Sequence, residues 1–257
     1  MTRARQAFKA FTVAFLLSNF LGFTFVARLF LRSRRARRRF SLLHAHRHSR
    51  IILRVMGVDL VVENPERLRE NVMILSNHMS WLDGLLMSSL APTCFVTSHE
   101  MRETPVLGLI TELAGCLYVE RRSKDNIHRE IHEITEALRD GFHVTIFPEA
   151  TSTDGSSVRP FKRPLLTAAC DAGRDVLPMV IQYEEIDGSP VTSRNRDLLC
   201  WYGSMSFAPH YWAVMGCRKI RIRVKILPEI SVNGNSTRDT IVETAEAAVR
   251  AHYRPIL

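Results

Sequence analysis

Short apolar runs alternate with helical patterns along most of this chain, and this alternation limits the fold more than any other feature. Turn residues bound the runs, as is usual for buried strands. Between the fourth and fifth run, residues 123–141 carry isoleucine and leucine at helical spacing, with Ser123 placed to cap the helix and Gly141 to end it. Strands are predicted at 57–63, 71–76, 93–98, 115–120, 143–148 and 176–183.

This pattern predicts the α/β class, with a mixed, mostly parallel sheet flanked by helices. In such folds ligands bind where loops leave the strand ends. Residues 218–230 alternate apolar and basic side chains, which predicts a further strand with a basic, solvent-facing side. A last amphipathic helix is expected at about 236–252. At 257 residues and 46% hydrophobic content, the chain can bury one substantial core.

The N-terminal region carries an uncharged segment, Ala10 to Ala27, followed by a run of arginines. The segment is at the lower limit of length for crossing a hydrocarbon layer about 30 Å thick. We therefore expect residues 1–56 to form a membrane-associated helical segment and residues 57–257 to form the α/β domain. The arginines of the run are Arg28, Arg32, Arg34, Arg35, Arg37, Arg38 and Arg39.

Two arrangements of this segment stay open. If it spans the bilayer, the arginines after it place the α/β domain in the cytoplasm by the positive-inside rule. If it enters one leaflet only, the arginines bind anionic head groups at roughly 1 kcal/mol each near the surface. Both arrangements put a cytoplasmic domain against a membrane. The alternative is a buried core helix followed by a solvated basic run.

The net charge of +9 favours anionic partners. No helix-turn-helix, zinc-finger or RNP-like pattern accompanies this charge, so nucleic acid is not an expected partner. The histidines of "HAHRHS", residues 44–49, are interpreted as a solvated basic patch rather than a metal site, because a helix would scatter them. The five cysteines lack C-x-x-C spacing and are expected to be core thiols.

The stretch "SNHMSWLDGLL", residues 76–86, places polar residues between two apolar runs. His78 is expected in the loop after a buried strand, with Asp83 near the start of the next helix. A carboxylate that binds His Nδ1 leaves Nε2 free to accept a proton, so the pair predicts a general base. No G-x-S-x-G nucleophile is present, and the base would act on a substrate hydroxyl. The structural alternative is a pair that only caps a helix.

Three further polar patches follow strands. An arginine pair ends the first, where a guanidinium can bind a phosphate bidentately. A glutamate and hydroxyl residues form a turn in the second, and a proline within the third strand indicates an edge strand or a bulge. Each has a plainer interpretation, as a salt bridge, a turn and an edge strand respectively. The stretches are "GCLYVERR" at 115–122, "FPEATS" at 147–152 and "VLPMV" at 176–180.

Taken in order, "NHMSWLD", "GCLYVER", "FPEAT" and "VLPMV" resemble the four sequence blocks of the glycerolipid acyltransferase family, whose best-known member is lysophosphatidic acid acyltransferase. The resemblance covers roughly residues 70–185. It implies transfer of a fatty acyl group from an acyl thioester, on coenzyme A or acyl carrier protein, to a lipid hydroxyl, without a metal or other cofactor. A thioester already has a good leaving group, so base-assisted attack suffices without an acyl-enzyme.

The resemblance also implies roles for individual residues. His78 takes the hydroxyl proton and Asp83 orients it. The residues implied in binding are Arg121, which holds the acceptor's phosphate, Glu149 and Thr151, which shape the same pocket, Lys162, at a basic position after the third block, and Pro178, in the block linked to the acyl donor.

The third block departs from its usual Glu-Gly-Thr-Arg form, because Ala150 and Ser152 replace the glycine and the arginine. The loss of that arginine removes one phosphate contact. The stretches "WYGSM" and "HYW" are similar to the subgroup that acylates lyso-ornithine lipids. Lysophosphatidic acid is thus the leading acceptor and lyso-ornithine lipid a close alternative. Rivals of another class are a metal-dependent membrane hydrolase and a non-catalytic lipid-binding protein.

Overall fold

The computed structural model describes residues 3–69, 71–120, 126–233 and 236–257. The strands are β1 (Val58–Glu63), β2 (Met73–Ser76), β3 (Thr93–Ser98), β4 (Leu117–Val119), β5 (His143–Ile146), β6 (Val176–Ile186), β7 (Ser189–Pro190) and β8 (Ile220–Ile226). The helices are α1 (Arg3–Phe30), α2 (Arg34–Met56), α3 (Leu82–Leu90), α4 (His99–Glu103), α5 (Leu107–Leu113), α6 (Ile127–Arg139), α7 (Thr167–Ala172), α8 (Phe207–Gly216) and α9 (Arg238–His252).

One mixed sheet joins all of these strands, in the order β1-β8-β6-β2-β5-β3-β4, with β7 beside β6. The pairs that β2 makes with β5 and β6, and that β3 makes with β5 and β4, are parallel, whereas β8 is antiparallel to β6. The predicted fold class is therefore confirmed. Because β2 and β5 are parallel neighbours, the loops that follow them leave the same edge of the sheet. The proposed cap Ser123 lies outside the described residues.

Pro178 lies within β6, a central strand between β2 and β8, so the edge-strand alternative is wrong. The irregularity lies on the segment that pairs with β6, just after β8. Met179 pairs with Ile226, whereas Val176 bridges Ile230, one residue beyond that register. A bulge after β8 thus faces the proline, which has no N–H for the sheet ladder.

The last predicted strand, β8, buries its isoleucines and valine and leaves its basic residues half-buried. The basic side does not simply face solvent. Arg223 Nε donates to Glu184 at 2.6 Å and Arg223 Nη1 donates to Glu63 at 2.7 Å. These contacts join β8 to β6 and β1 across the sheet surface.

Helices α1 and α2 form a hairpin, and α1 is bound to the rest of the chain near both of its ends. Lys9 Nζ donates to the carbonyls of Met56 and Cys217, each at 2.8 Å, where α2 and α8 end. Arg28 Nη1 donates to the Glu112 carbonyl of α5 at 3.1 Å. At 1.5 Å per residue, these two contacts are about 28 Å apart along the helix. Helix α1 therefore lies along the domain surface.

The three histidines of α2 do not form the predicted solvated patch. They are half-buried and link helices. The Oγ1 atom of Thr24 on α1 lies 2.7 Å from His44 Nδ1, and His46 Nδ1 donates to the Ser88 carbonyl of α3 at 2.7 Å. Burial lowers the pKa of His44 to about 4, so this ring is neutral between the two helices. His44 and His48 share one helix face because they are four residues apart.

Gly57 ends α2 in the left-handed region, at φ 81°, and an added Cβ would lie 2.2 Å from the Arg218 carbonyl oxygen. Gly173 ends α7 similarly, at φ 60°, but nothing lies within 4 Å of its Cβ position. We expect Gly173→Ala to lower the free energy of unfolding by about 1 kcal/mol, and Gly57→Ala by roughly 2–4 kcal/mol, because the second change adds a steric clash. Urea unfolding followed by circular dichroism measures both; equal losses would contradict the clash.

Candidate active site

His78 and Asp83 meet at the turn between β2 and α3. His78 Nδ1 lies 2.8 Å from Asp83 Oδ2, with the aspartate side chain fully buried and the histidine side chain 23% exposed. Because the carboxylate accepts, Nδ1 carries the proton and Nε2 keeps its lone pair. The geometry required of a general base is therefore present.

Asp83 accepts three further hydrogen bonds. The backbone N–H groups of Met79 and Ser80 donate to Oδ2 at 2.7 and 2.9 Å, and the Tyr183 hydroxyl of β6 donates to Oδ1 at 2.6 Å. Burial and the adjacent carboxylate raise the pKa of Tyr183 well above its ordinary value, so the hydroxyl stays a donor. Tyr183 ends a predicted strand, and nothing in its local pattern indicates this contact.

The residues after β5 hold His78 from the other side. Glu149 accepts from the backbone N–H groups of His78 and Arg159, each at 2.7 Å, while Thr153 donates to the His78 carbonyl through its N–H and its hydroxyl. Phe147 stacks on the imidazole with ring centroids 4.2 Å apart. Glu149 is 3% exposed, and burial raises its pKa. Its carboxylate thus positions the His78 backbone and is not part of the lining of the cavity described below.

No hydrogen bond or ion pair joins Thr151 or Lys162 to this pair within the described residues. The half-buried Thr151 has one weak contact, from Oγ1 to the Ser152 carbonyl at 3.4 Å. Lys162 is exposed and donates its backbone N–H to the Pro148 carbonyl. Arg121 lies outside the described residues. The structure therefore brings His78, Asp83 and Glu149 together, and the binding roles of the others stay predictions.

A cavity of about 300 Å³ reaches the His78 ring. Among the residues described, its lining contains no Asp, Glu, Lys or Arg. Helices α1 and α2 form one wall, and α3, β3, α5 and α8 form the others. The residues from α1 are Val13, Leu17 and Phe20, those from α5 are Leu107, Ile110 and Thr111, and Ala114 follows α5 directly. Such a space accepts a hydrocarbon chain rather than a charged group.

Known proteins are similar to this chain in sequence. The family described as Acyltransferase matches residues 59–182. The 1-acyl-sn-glycerol-3-phosphate acyltransferase of Neisseria meningitidis serogroup B is 29% identical over 78% of this chain and 76% of its own length. The lyso-ornithine lipid O-acyltransferase of Pseudomonas aeruginosa is 32% identical over 71% of this chain and 67% of its own length.

The fold is also that of a solved enzyme. The crystal structure of the 1-acyl-sn-glycerophosphate (LPA) acyltransferase PlsC from Thermotoga maritima matches with a TM-score of 0.69 and 20% identity, over 98% of this chain and 95% of that one. The family match and the relatives above define the class of protein, an acyltransferase. The chain belongs to the acyltransferase family that includes 1-acyl-sn-glycerol-3-phosphate acyltransferases and lyso-ornithine lipid O-acyltransferases.

Ala150 lines the cavity at φ 60°, a left-handed conformation that disfavours any residue with a Cβ. We expect Ala150→Gly to raise the free energy of unfolding by about 1 kcal/mol because the backbone strain is removed. As a matched control, Ala172→Gly at the end of α7 should lower it by about 0.5–1 kcal/mol. Denaturant unfolding compares the two, and a destabilised Ala150→Gly protein would contradict the strain.

Proposed function

We propose that this chain is a membrane-associated O-acyltransferase that moves a fatty acyl group from a thioester to the free hydroxyl of a lysolipid. The observation that carries this proposal is the His78 imidazole, which is held by Asp83 on one side and opens on an apolar cavity. Family membership supplies the class of reaction. The cavity supports a substrate with a long hydrocarbon chain, since each buried CH₂ contributes about 0.8 kcal/mol.

In the proposed reaction, Nε2 of His78 removes the hydroxyl proton as that oxygen attacks the thioester carbonyl. Asp83 stabilises the imidazolium that forms and keeps the ring oriented. Collapse of the tetrahedral intermediate breaks the carbon–sulfur bond, and the thiolate takes the proton from His78. The products are an ester and a free thiol, and no acyl-enzyme forms. The donor is acyl-coenzyme A or an acyl carrier protein.

The first candidate acceptor is lysophosphatidic acid, with Arg121 as the phosphate contact implied by the family pattern. Lyso-ornithine lipid is the second. It is favoured by Ser152, which stands where the family usually has an arginine, and by the absence of Lys and Arg from the described cavity lining. Relatives of both kinds match the chain at similar identity.

We infer that α1 lies within one leaflet, with the domain on the cytoplasmic face. The helix is long and apolar enough to cross a bilayer, but Lys9 and Arg28 both bind the same folded unit. The outer face of α1 carries exposed phenylalanines, which suit the acyl region of a leaflet, while the arginines of α2 suit its head groups. These phenylalanines are Phe8, Phe11, Phe15, Phe23, Phe25 and Phe30.

The base is tested with purified full-length protein in detergent, a labelled long-chain acyl thioester in both donor forms, and each lysolipid. We expect His78→Ala to lower turnover by about 10²–10⁴-fold, and Asp83→Asn to lower it severely but less, because tautomer control is lost while the base remains. His252→Ala, at an exposed position where α9 ends, serves as the matched control and should retain the rate.

Near-normal turnover in a folded His78→Ala protein would remove the proposed mechanism and favour a lipid-binding role. A rate that falls with EDTA and returns with metal would favour the hydrolase alternative. No group of three His, Cys, Asp or Glu side chains within the described ranges is placed to hold a metal ion. Ester formed with only one of the two lysolipids identifies the acceptor.

Membrane attachment is tested by flotation with vesicles that contain anionic lipid. The triple change Phe8→Ser, Phe11→Ser and Phe15→Ser should lower the partition coefficient by more than about 100-fold, because three large apolar side chains leave the leaflet. Leu198→Ser, at an exposed apolar position outside α1, is the control and should float like the unchanged protein. Unchanged flotation of the triple variant would contradict insertion of α1.

A further inference from the structure

Four aromatic side chains line one part of the cavity: Trp81, Trp201, Phe207 and Tyr211, here called the aromatic wall. Phe207 lies at its centre. Its ring centroid is 5.5 Å from Trp81 at 66°, 6.3 Å from Trp201 at 88°, and 5.9 Å from Tyr211 at 25°. Edge-to-face and stacked contacts of this kind fix each ring relative to its neighbours. The proposed mechanism gives these residues no part.

Every polar atom of the aromatic wall is bound to protein. Trp201 Nε1 donates to a backbone carbonyl in the loop before α8 at 2.8 Å, and the Tyr211 hydroxyl donates to a backbone carbonyl of α1 at 2.9 Å. Trp81 Nε1 donates to His210 Nδ1 at 3.0 Å. The aromatic wall therefore has no free side-chain N–H or O–H donor to offer the cavity. A phosphate finds no hydrogen-bond donor among these four side chains.

His210, on α8, can bind Trp81 in only one tautomer. Its Nε2 lies 3.1 Å from the Cys200 carbonyl, which only accepts, so Nε2 carries the proton and Nδ1 accepts. The side chain is 5% exposed and is not part of the cavity lining. His210 thus connects the backbone at Cys200 to a tryptophan three residues after His78. Any effect it has on a substrate passes through Trp81.

We propose that His210 is a positioning residue that keeps Trp81 in the aromatic wall, and that this wall binds a hydrocarbon chain beside His78. The inference rests on the proposed function, which supplies two such chains, the acyl chain of the donor and the chain of the lysolipid. Both have the same chemistry at the aromatic wall. Fixing Trp81 sets where the chain lies relative to Nε2 without changing the chemistry of the base.

The test measures kcat and KM with full-length protein in detergent, using short-chain and long-chain forms of the donor and, separately, of the acceptor. His210→Leu and Trp81→Leu should each raise the KM of a long-chain substrate by about 10-fold and leave its short-chain form unchanged, because only the longer chain contacts the aromatic wall. The kcat should stay within about three-fold. Which substrate shows this dependence identifies whose chain is bound.

Two further variants separate positioning from general damage. In the double variant that combines His210→Leu and Trp81→Leu, the long-chain KM should equal that of Trp81→Leu alone, because both changes remove the same contact. His210→Asn offers an oxygen to Trp81 Nε1 and should restore the KM to within about 1.5-fold of the unsubstituted protein. Trp212→Leu is the matched control, because Trp212 is 45% exposed and outside the cavity lining.

Three results would overturn the inference: an equal rise in KM with short and long chains, additive effects in the double variant, or a rise in KM only with acceptors whose head group carries an ammonium. If His210→Leu does not fold, Trp81→Phe takes its place, because a phenyl ring lacks the N–H. It should raise the long-chain KM alone by about three-fold, and an unchanged KM would overturn the inference. Failure of the protein without substitutions to transfer an acyl group would contradict the proposed function instead.

Discussion

The buried carboxylate of Asp83 is the point on which the geometry of the site depends. An unpaired buried charge costs several kcal/mol, and four hydrogen bonds to this carboxylate offset that cost. One donor is the His78 imidazole, two are backbone groups of the same turn, and the fourth is Tyr183 on β6. Because β6 and β2 are adjacent in the sheet, the orientation of His78 depends on strand pairing that forms only in the complete domain.

The N-terminal hairpin, proposed above to bind a membrane, also forms part of the candidate site. Val13, Leu17 and Phe20 of α1 close the cavity that reaches His78, and the buried Lys9 binds carbonyls where two other helices end. A cation at helix C-termini is electrostatically favourable, so this contact helps to fix α1. The division at residues 56 and 57 stays a prediction based on composition, whereas the packing is continuous across it.

The sequence predicted the sheet, and it placed His78 and Asp83 together, because both depend on short-range signals. Apolar runs predict the strands. The five-residue separation of His78 and Asp83, within one turn, predicts that their side chains meet. Tyr183, Phe147 and His210 carried no such signal, since strand order and register bring them to the site from distant parts of the chain. The α2 histidines were misjudged because the surfaces that half-bury them belong to α1 and α3. Pro178 was ambiguous because the bulge that accommodates it lies on another segment.

The two opposite faces of α1 contact different surroundings, so the residues on each face are under different constraints. Residues such as Leu17 face the cavity, whereas residues such as Phe15 face outward. Under the function proposed above, sequence change on the inner face would alter which hydrocarbon chains fit, and change on the outer face would alter how strongly the protein binds a bilayer. Substitutions within a single helix could then change either property without the other.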